Sequence, residues 1–147
     1  MGEIIFPENT IITTKDGNNF TGDIVFFDKE IEKNINGIET IETFKAGADE
    51  PIFLKNEQGN NINATIKIAV PNTASGENLI IQYSHDGNEW YYLDTIQPQS
   101  EDNGLFATFQ TNHFTIFSLG IWTGTFIINN DIATTTGLNV TLNTNIV

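Results

Sequence analysis

Hydrophobic and polar residues alternate along most of the chain, and this period of two predicts β-strands that each bury one face. The clearest example is Ala64–Val70, which alternates without interruption until Pro71 ends the run. Further strands are expected at residues 4–6, 11–12, 20–27, 38–44, 51–55, 79–83, 89–93, 105–109 and 114–122. Helical spacing is confined to residues 27–33, where a short amphipathic stretch ends at the Asn34-Ile35-Asn36-Gly37 turn.

Turn signals between these stretches complete the fold prediction. The strongest is Asp86-Gly87, which lies between two strands rich in aromatic residues and predicts a hairpin. Some eight to ten short strands at regular spacing, with at most one short helix, predict an all-β fold, an antiparallel β-sandwich. Residues 1–120 would form this sandwich. Residues 121–147 contain one charged residue, Asp131, and could add strands to the sandwich or begin a following domain.

The charge balance excludes several classes of function. The chain has 6 basic residues, all lysine, against 19 acidic ones, which gives a net charge of −13. Such a chain would repel the phosphates of nucleic acids and of anionic membranes. Cysteine is absent, so disulfides, thiolate metal sites and cysteine nucleophiles are excluded. Because of this charge we expect no nucleic-acid partner. No apolar run reaches the length of a membrane span, so we also expect no membrane insertion of this segment.

The composition also bears on location. An acidic, cysteine-free chain rich in Asn and Thr suits an exported bacterial surface protein, although composition alone also allows a cytosolic one. Met1-Gly2-Glu3 leads directly into an apolar run without a basic targeting segment, as in an excised or mature portion of a longer protein. We therefore expect an extracellular, monomeric module whose partners are the neighbouring domains of a larger surface protein.

Residues 109–119 carry the one reaction that the sequence suggests. His113 precedes Thr115 by two residues and is the only base of near-neutral pKa in this region. In a flat strand their Cα atoms would lie ~7 Å apart, so a hydrogen bond between the side chains needs a kink in the backbone. With a kink, His113 could accept the Thr115 hydroxyl proton, and the oxygen could attack the carbonyl carbon of Phe114 through a five-membered ring. Water would then hydrolyse the ester and leave the chain cut between Phe114 and Thr115.

The stretch Asn112-His113-Phe114-Thr115-Ile116-Phe117 resembles the cleavage strand of autoproteolytic β-sandwich domains. These are the GPCR autoproteolysis-inducing (GAIN) domain and the ZU-five-type domains of death-domain adaptors and netrin receptors. The match comprises the His, the hydroxyl residue and the downstream Phe, and the hairpin with Trp90 lies where such domains carry a Trp-bearing hairpin. The same arrangement is similar to a module of bacterial surface proteins, and the resemblance covers roughly residues 3–120.

This resemblance implies a self-cleaving module whose two pieces stay associated. Thr115 would be the nucleophile, His113 the general base and Phe114 the acyl donor. The reaction would be a single cleavage in cis without turnover of other substrates, and we expect no cofactor and no metal. The cysteines that staple the receptor domains are absent here, so packing alone would hold the cleavage strand.

A second interpretation requires no chemistry. In it the chain is a structural or adhesive spacer domain of a bacterial surface protein, and His113 only fastens the final strand. The other histidine, His85, lies in the turn before Asp86 and is expected to be solvated.

Three weaker candidates involve binding or cross-linking. The loops at residues 16–19, 86–89 and 101–104 carry oxygen ligands that calcium could use, but none matches an EF-hand. The aromatic run at residues 90–92 could present a sugar-binding surface. Lys67 could form an isopeptide bond with an asparagine, although a solvated lysine is the simpler interpretation.

Overall fold

Twelve strands and one short 3₁₀ helix make up the part of the chain that a computed structural model describes, residues 2–30, 34–35 and 37–122. The strands are β1 (Gly2–Ile5), β2 (Ile11–Thr14), β3 (Val25–Asp28), β4 (Asn34–Ile35), β5 (Ile38–Gly47), β6 (Ile52–Lys55), β7 (Ala64–Val70), β8 (Leu79–Ser84), β9 (Tyr91–Ile96), β10 (Gln99–Glu101), β11 (Gly104–Thr111) and β12 (Ile116–Trp122). The 3₁₀ helix is Asn72–Ala74. No helix among these residues is long and apolar enough to span a membrane.

The strands form three antiparallel sheets. The small sheet has the order β1-β7-β11-β10, and the large sheet has the order β3-β5-β12-β8-β9 with β4 paired to β5. A separate two-stranded sheet joins β2 and β6. The prediction of an all-β, antiparallel sandwich is therefore confirmed.

The core lies between the small and the large sheet, where alternate residues of both turn inward. On β7 every second residue is buried, as its alternation predicts. Three phenylalanine rings join the sheets: Phe117 of β12 lies 5.3 Å from Phe44 of β5 and 5.6 Å from Phe109 of β11, measured between ring centroids. Burying side chains of this size contributes roughly 1.5–3 kcal/mol each.

The structure corrects the predicted elements at the beginning of the chain. The helical stretch expected at residues 27–33 is not a helix at its start, because Phe27 and Asp28 belong to β3, while residues 31–33 lie outside the described part. Tertiary packing explains the strand, since Phe26 stacks on Phe44 at 5.0 Å. The strand predicted over residues 20–27 begins only at Val25.

Further differences fall in the second half of the chain. Residues 97–104 lie between the strands predicted at 89–93 and 105–109, and they contain β10, whose pairing with β11 depends on the sandwich rather than on local sequence. The last strand begins at Ile116 rather than Phe114. The predicted domain boundary after Gly120 falls inside β12, which stays paired with β5 through Trp122. Residues 123–147 of the predicted extension lie outside the described residues.

Candidate functional site

The His-Phe-Thr triplet lies where the chain passes from one sheet to the other. β11 of the small sheet ends at Thr111, and β12 of the large sheet begins at Ile116. Residues 112–115, hereafter the crossover, connect them. The triplet is therefore outside regular strand geometry, which is the condition that the chemistry of His113 and Thr115 requires.

Hydrogen bonds hold the backbone of the crossover at both ends. The Thr111 hydroxyl accepts a bond from the His113 N–H at 2.9 Å and donates one to the His113 carbonyl at 3.2 Å. At the other end the Ala46 N–H donates to the Thr115 carbonyl at 2.9 Å. The peptide between Phe114 and Thr115 is thus tethered to β11 on one side and to β5 on the other.

The carbonyl of Phe114 lies directly against the end of β5. A Cβ placed on Gly47 would come within 2.6 Å of the Phe114 carbonyl oxygen and 2.8 Å of its carbon. Real Cβ atoms essentially never make contacts this short, so only glycine permits the approach. The phenyl ring of Phe114 lies 6.3 Å from that of Phe6, between centroids.

The hydroxyl group of Thr115 is buried and points to the large sheet. Its Oγ1 donates a hydrogen bond to the Ser84 carbonyl at 2.6 Å, and the residue is 8% exposed. Ser84 is the last residue of β8, which pairs with β12. In the structure the proton that the reaction must remove is therefore held by a main-chain oxygen.

The imidazole of His113 is half-buried between aromatic rings. It stacks on Tyr83 with centroids 4.1 Å apart and planes at 15°, and the His85 ring lies 6.3 Å away. Burial lowers the pKa of His113 below its usual value of 6.5, and the nearby charge of His85 lowers it further. The ring is therefore neutral at pH 7 and able to accept a proton.

The turn after β8 places Ser84 and His85. One carboxylate oxygen of Asp86 accepts bonds from the Ser84 hydroxyl and from the N–H groups of Asn88 and Glu89. The Gly87 N–H donates to the Ser84 hydroxyl at 2.8 Å. The backbone hydrogen bonds lower the pKa of Asp86. His85 itself is exposed, as the sequence predicted.

The crossover forms one wall of a cleft of about 390 Å³. Its lining includes all three triplet residues and His85, together with Lys45, Asp49 and Glu50. The triplet therefore borders a cleft on the protein surface. The cleft brings together residues that are far apart in the sequence. No local pattern marks Gly47, Tyr83 or the Ser84 carbonyl as neighbours of the triplet.

The structure also describes the surroundings of the other candidates. The Lys67 amine is engaged by Glu101 at 2.6 Å and lies 4.6 Å from the centre of the Phe106 ring. Tyr91 is 46% exposed, whereas its neighbours Trp90 and Tyr92 are half-buried, so the run does not present one flat surface. Within residues 2–30, 34–35 and 37–122, no group of three or more His, Cys, Asp or Glu residues could hold a metal ion.

The chain has no match among family models, curated proteins or solved structures. The class that the fold and the site define is an antiparallel β-sandwich with a His-Phe-Thr crossover exposed to a cleft. The functional argument therefore depends on the geometry of this crossover.

Proposed function

We propose that this domain is a self-cleaving module of a surface protein and cuts its own chain between Phe114 and Thr115. The observation that carries the proposal is the position of this peptide in the crossover. It lies at the edge of a cleft, it is tethered on both sides, and its carbonyl packs closely against Gly47. A neutral His113 lines the same cleft.

The first step is an N→O acyl shift. The Thr115 hydroxyl gives up its bond to the Ser84 carbonyl by rotation about Cα–Cβ, and the His113 imidazole accepts its proton. Oγ1 forms a bond to the Phe114 carbonyl carbon, and the C=O π electrons move to the oxygen. Because the ring has five members, proximity comes from the covalent structure itself.

The second step breaks the chain. The tetrahedral centre collapses, the bond from the Phe114 carbon to the Thr115 nitrogen breaks, and imidazolium returns the proton to that nitrogen. The resulting ester is attacked by water from the cleft with His113 again as base. Oγ1 leaves and takes up the proton, so the products are a carboxylate at Phe114, a free amine at Thr115 and an unchanged His113.

The two products would stay together after cleavage. β12, which begins one residue after the cut, is paired with β5 on one side and β8 on the other. Its Phe117 and Leu119 are fully buried in the core. Cleavage breaks none of these ladder hydrogen bonds, so denaturation is needed to separate residues 1–114 from residues 115–147.

Composition supports the proposed location. A net charge of −13, the absence of cysteine and the abundance of Asn and Thr support a monomeric extracellular module whose partners are the adjoining domains of a bacterial surface protein. Each molecule would react once, because the nucleophile and the acyl group belong to one chain.

Intact mass under denaturing conditions tests the proposal. After incubation at about pH 8, where histidine is neutral, we expect fragments 1–114 and 115–147 from the wild-type chain. Thr115→Ala should remain whole, Thr115→Ser should be cut, and His113→Gln should be cut slowly or not at all. A wild-type chain that stays whole contradicts the proposal, and the same fragments from Thr115→Ala would indicate an external protease.

A second candidate, the structural spacer domain, is favoured by one specific observation. The Thr115 hydroxyl donates to the Ser84 carbonyl and the His113 ring stacks on Tyr83, so both side chains fasten the crossover in the ground state. In this case the wild-type chain stays whole, while Thr115→Ala lowers the free energy of unfolding. The mass measurement therefore separates the two functions.

A further inference from the structure

The two histidines of the chain lie in one cleft. His85 comes from the turn after β8 and His113 from the crossover, and both line the cleft of about 390 Å³ that the crossover borders. Their ring centroids are 6.3 Å apart, and the ring planes meet at 62°. Since the chain has no other histidine, the fold brings every imidazole of the protein to a single place.

The spacing of the two rings suits a shared metal ion. A bond from zinc to an imidazole nitrogen is about 2.0–2.1 Å long, so two imidazoles on one ion have their centroids about 5–6.4 Å apart. The observed 6.3 Å lies at the upper end of this range. His113 is held by its stack on Tyr83, whereas the exposed His85 side chain can change rotamer and direct a nitrogen into the gap.

The ring nitrogens have no competing partner among the residues that the structure describes. There neither imidazole makes a hydrogen bond or an ion pair, and their other ring contact is Tyr83, whose centroid lies 4.1 Å from that of His113 and 5.7 Å from that of His85. A neutral imidazole binds a metal through the lone pair of one nitrogen. Each ring therefore has a nitrogen available for an ion in the cleft.

The charge around the cleft favours a cation. Its lining includes the carboxylates of Asp49 and Glu50 against one ammonium group, that of Lys45. The chain as a whole carries a net charge of −13, so its field concentrates cations near the surface. Imidazole is a ligand for Zn²⁺, Cu²⁺ and Ni²⁺, whereas Ca²⁺ and Mg²⁺ bind oxygen. The pair of rings therefore selects a transition-metal ion.

We propose that His85 and His113 together bind one divalent transition-metal ion, with Zn²⁺ as the representative case. The two imidazoles supply two of the four positions around zinc, and water molecules take the others. Within the described residues no third His, Cys, Asp or Glu completes the set. Because a structural zinc site has four protein ligands, this ion binds reversibly and the fold does not depend on it.

The bound ion also stops self-cleavage. This part rests on the proposed function, in which His113 accepts the proton of the Thr115 hydroxyl. A neutral imidazole has one basic nitrogen, so coordination of that nitrogen leaves His113 with no lone pair for a proton. The ion is therefore an inhibitor rather than a cofactor, and the module reacts only when the metal is absent.

Isothermal titration calorimetry with Zn²⁺ alone tests the site in the absence of cleavage. The protein is the full chain carrying Thr115→Ala, stripped with EDTA, dialysed and measured at about pH 7.5, where histidine is neutral. We expect one ion per chain and much weaker binding of Ca²⁺. His85→Gln and His113→Gln should each lower the zinc affinity about tenfold or more. Asn112→Gln, which changes another residue of the lining and keeps both imidazoles, should bind zinc as the parent does.

Three results would overturn the proposal. The first is an unchanged zinc affinity in His85→Gln, a variant whose side chain is exposed and whose folding is therefore not at risk. The second is equal affinity for Ca²⁺, which would assign the binding to the carboxylates. The third is one ion per two chains, which would place the ion between copies of the protein.

Timed intact-mass measurement of the wild-type chain, refolded from urea, tests the inhibition. Zn²⁺ that saturates the site should slow the formation of fragment 115–147 about tenfold or more, and EDTA should restore the rate. His85→Gln should lose most of this sensitivity at the same Zn²⁺ concentration. A wild-type chain that is never cut contradicts the proposed function, while the calorimetry still decides the metal site. Cleavage that saturating Zn²⁺ does not slow would overturn the inhibitory role.

Discussion

Two connections between strands build the site, and they are stabilised in different ways. The turn at residues 84–89 joins β8 to β9 within one sheet, and its hydrogen bonds link residues two or three positions apart. The crossover at residues 112–115 joins two sheets, and most of its contacts come from distant strands. Thr115 and the Ser84 carbonyl that it binds are 31 positions apart. The turn therefore depends on its own sequence, whereas the crossover depends on the assembled sandwich.

The two connections also meet. Ser84 begins the turn and supplies the carbonyl that holds the Thr115 hydroxyl, and His85 of the turn faces His113 of the crossover. A locally determined element thus positions Thr115, whose hydroxyl and carbonyl groups both bond to residues far away in the sequence. If this division is correct, the same kind of substitution should have different effects in the two connections.

A methyl group added to glycine gives the largest expected difference. Gly47→Ala places a carbon 2.6 Å from the Phe114 carbonyl oxygen, a backbone atom that cannot move aside without shifting the crossover. We expect a loss of about 2–3 kcal/mol in the free energy of unfolding. Gly87→Ala adds the same methyl in the turn, where the penalty comes from a positive φ of 83° and should be about 1 kcal/mol.

Urea unfolding monitored by tryptophan fluorescence compares these two variants directly. Gly47→Ala should also reduce formation of fragment 115–147, because displacement of the Phe114 carbonyl changes the geometry of attack. Equal losses of stability at the two positions would show that the crossover is no more constrained by its neighbours than the turn.

Removal of the Thr115 hydroxyl should have the next largest effect. Thr115→Val keeps the shape of the side chain but takes away the donor to the buried Ser84 carbonyl, which should cost about 1–2 kcal/mol in unfolding free energy. Thr115→Ser keeps the donor and should lose less. The measurement is urea unfolding of both variants beside Thr115→Ala. If Val and Ser variants are equally stable, the bond to Ser84 contributes nothing.

The same contrast explains how much of the molecule its sequence predicts. Ala64–Val70 was predicted to the residue, because period-two burial is a local property. The Asp86-Gly87 hairpin was predicted for the same reason. β3 was predicted as the end of a strand over residues 20–27, with its last residues also assigned to a helix, and β10 was not predicted. Both depend on packing and pairing with other strands. At the site, the triplet was recognisable, but Gly47, Tyr83 and the Ser84 carbonyl were not, since only the fold brings them to it.

Two carboxylates show the same contrast between local and non-local contacts in the pH dependence of stability. Local backbone bonds lower the pKa of Asp86, whereas burial and the charge of Asp28 on another strand raise the pKa of Glu42 to about 7. Below pH 4.5 Glu42 is protonated in both states. As pH rises through 7 it ionises in the folded state beside Asp28, and stability is lost. Since water screens this half-exposed pair, we expect a loss of about 1 kcal/mol.

Glu42→Gln tests this assignment. The variant should be more stable than the wild type at pH 8 by the same amount and should show no such decline between pH 4.5 and 8, measured by urea unfolding at each pH. Asp86→Asn should change stability in the opposite pH range, because the contribution of an acid with lowered pKa is present above pH 3.8 and is lost as pH falls further. If the stability of Glu42→Gln still declines between pH 4.5 and 8, another group causes the decline.

The smallest expected effect links the two connections through their histidines. Burial, and then the charge of His85, lower the pKa of His113 below 6.5, so the rate of cleavage should rise with pH and have its midpoint below pH 6.5. His85→Gln removes that charge and should move the rising limb to higher pH while leaving the plateau unchanged. Refolding from urea at each pH, followed by timed intact-mass measurement, gives the rate. If the rising part of the pH–rate profile does not move, the turn positions the Ser84 carbonyl but has no electrostatic influence on His113. The coupling between the two connections would then be purely steric.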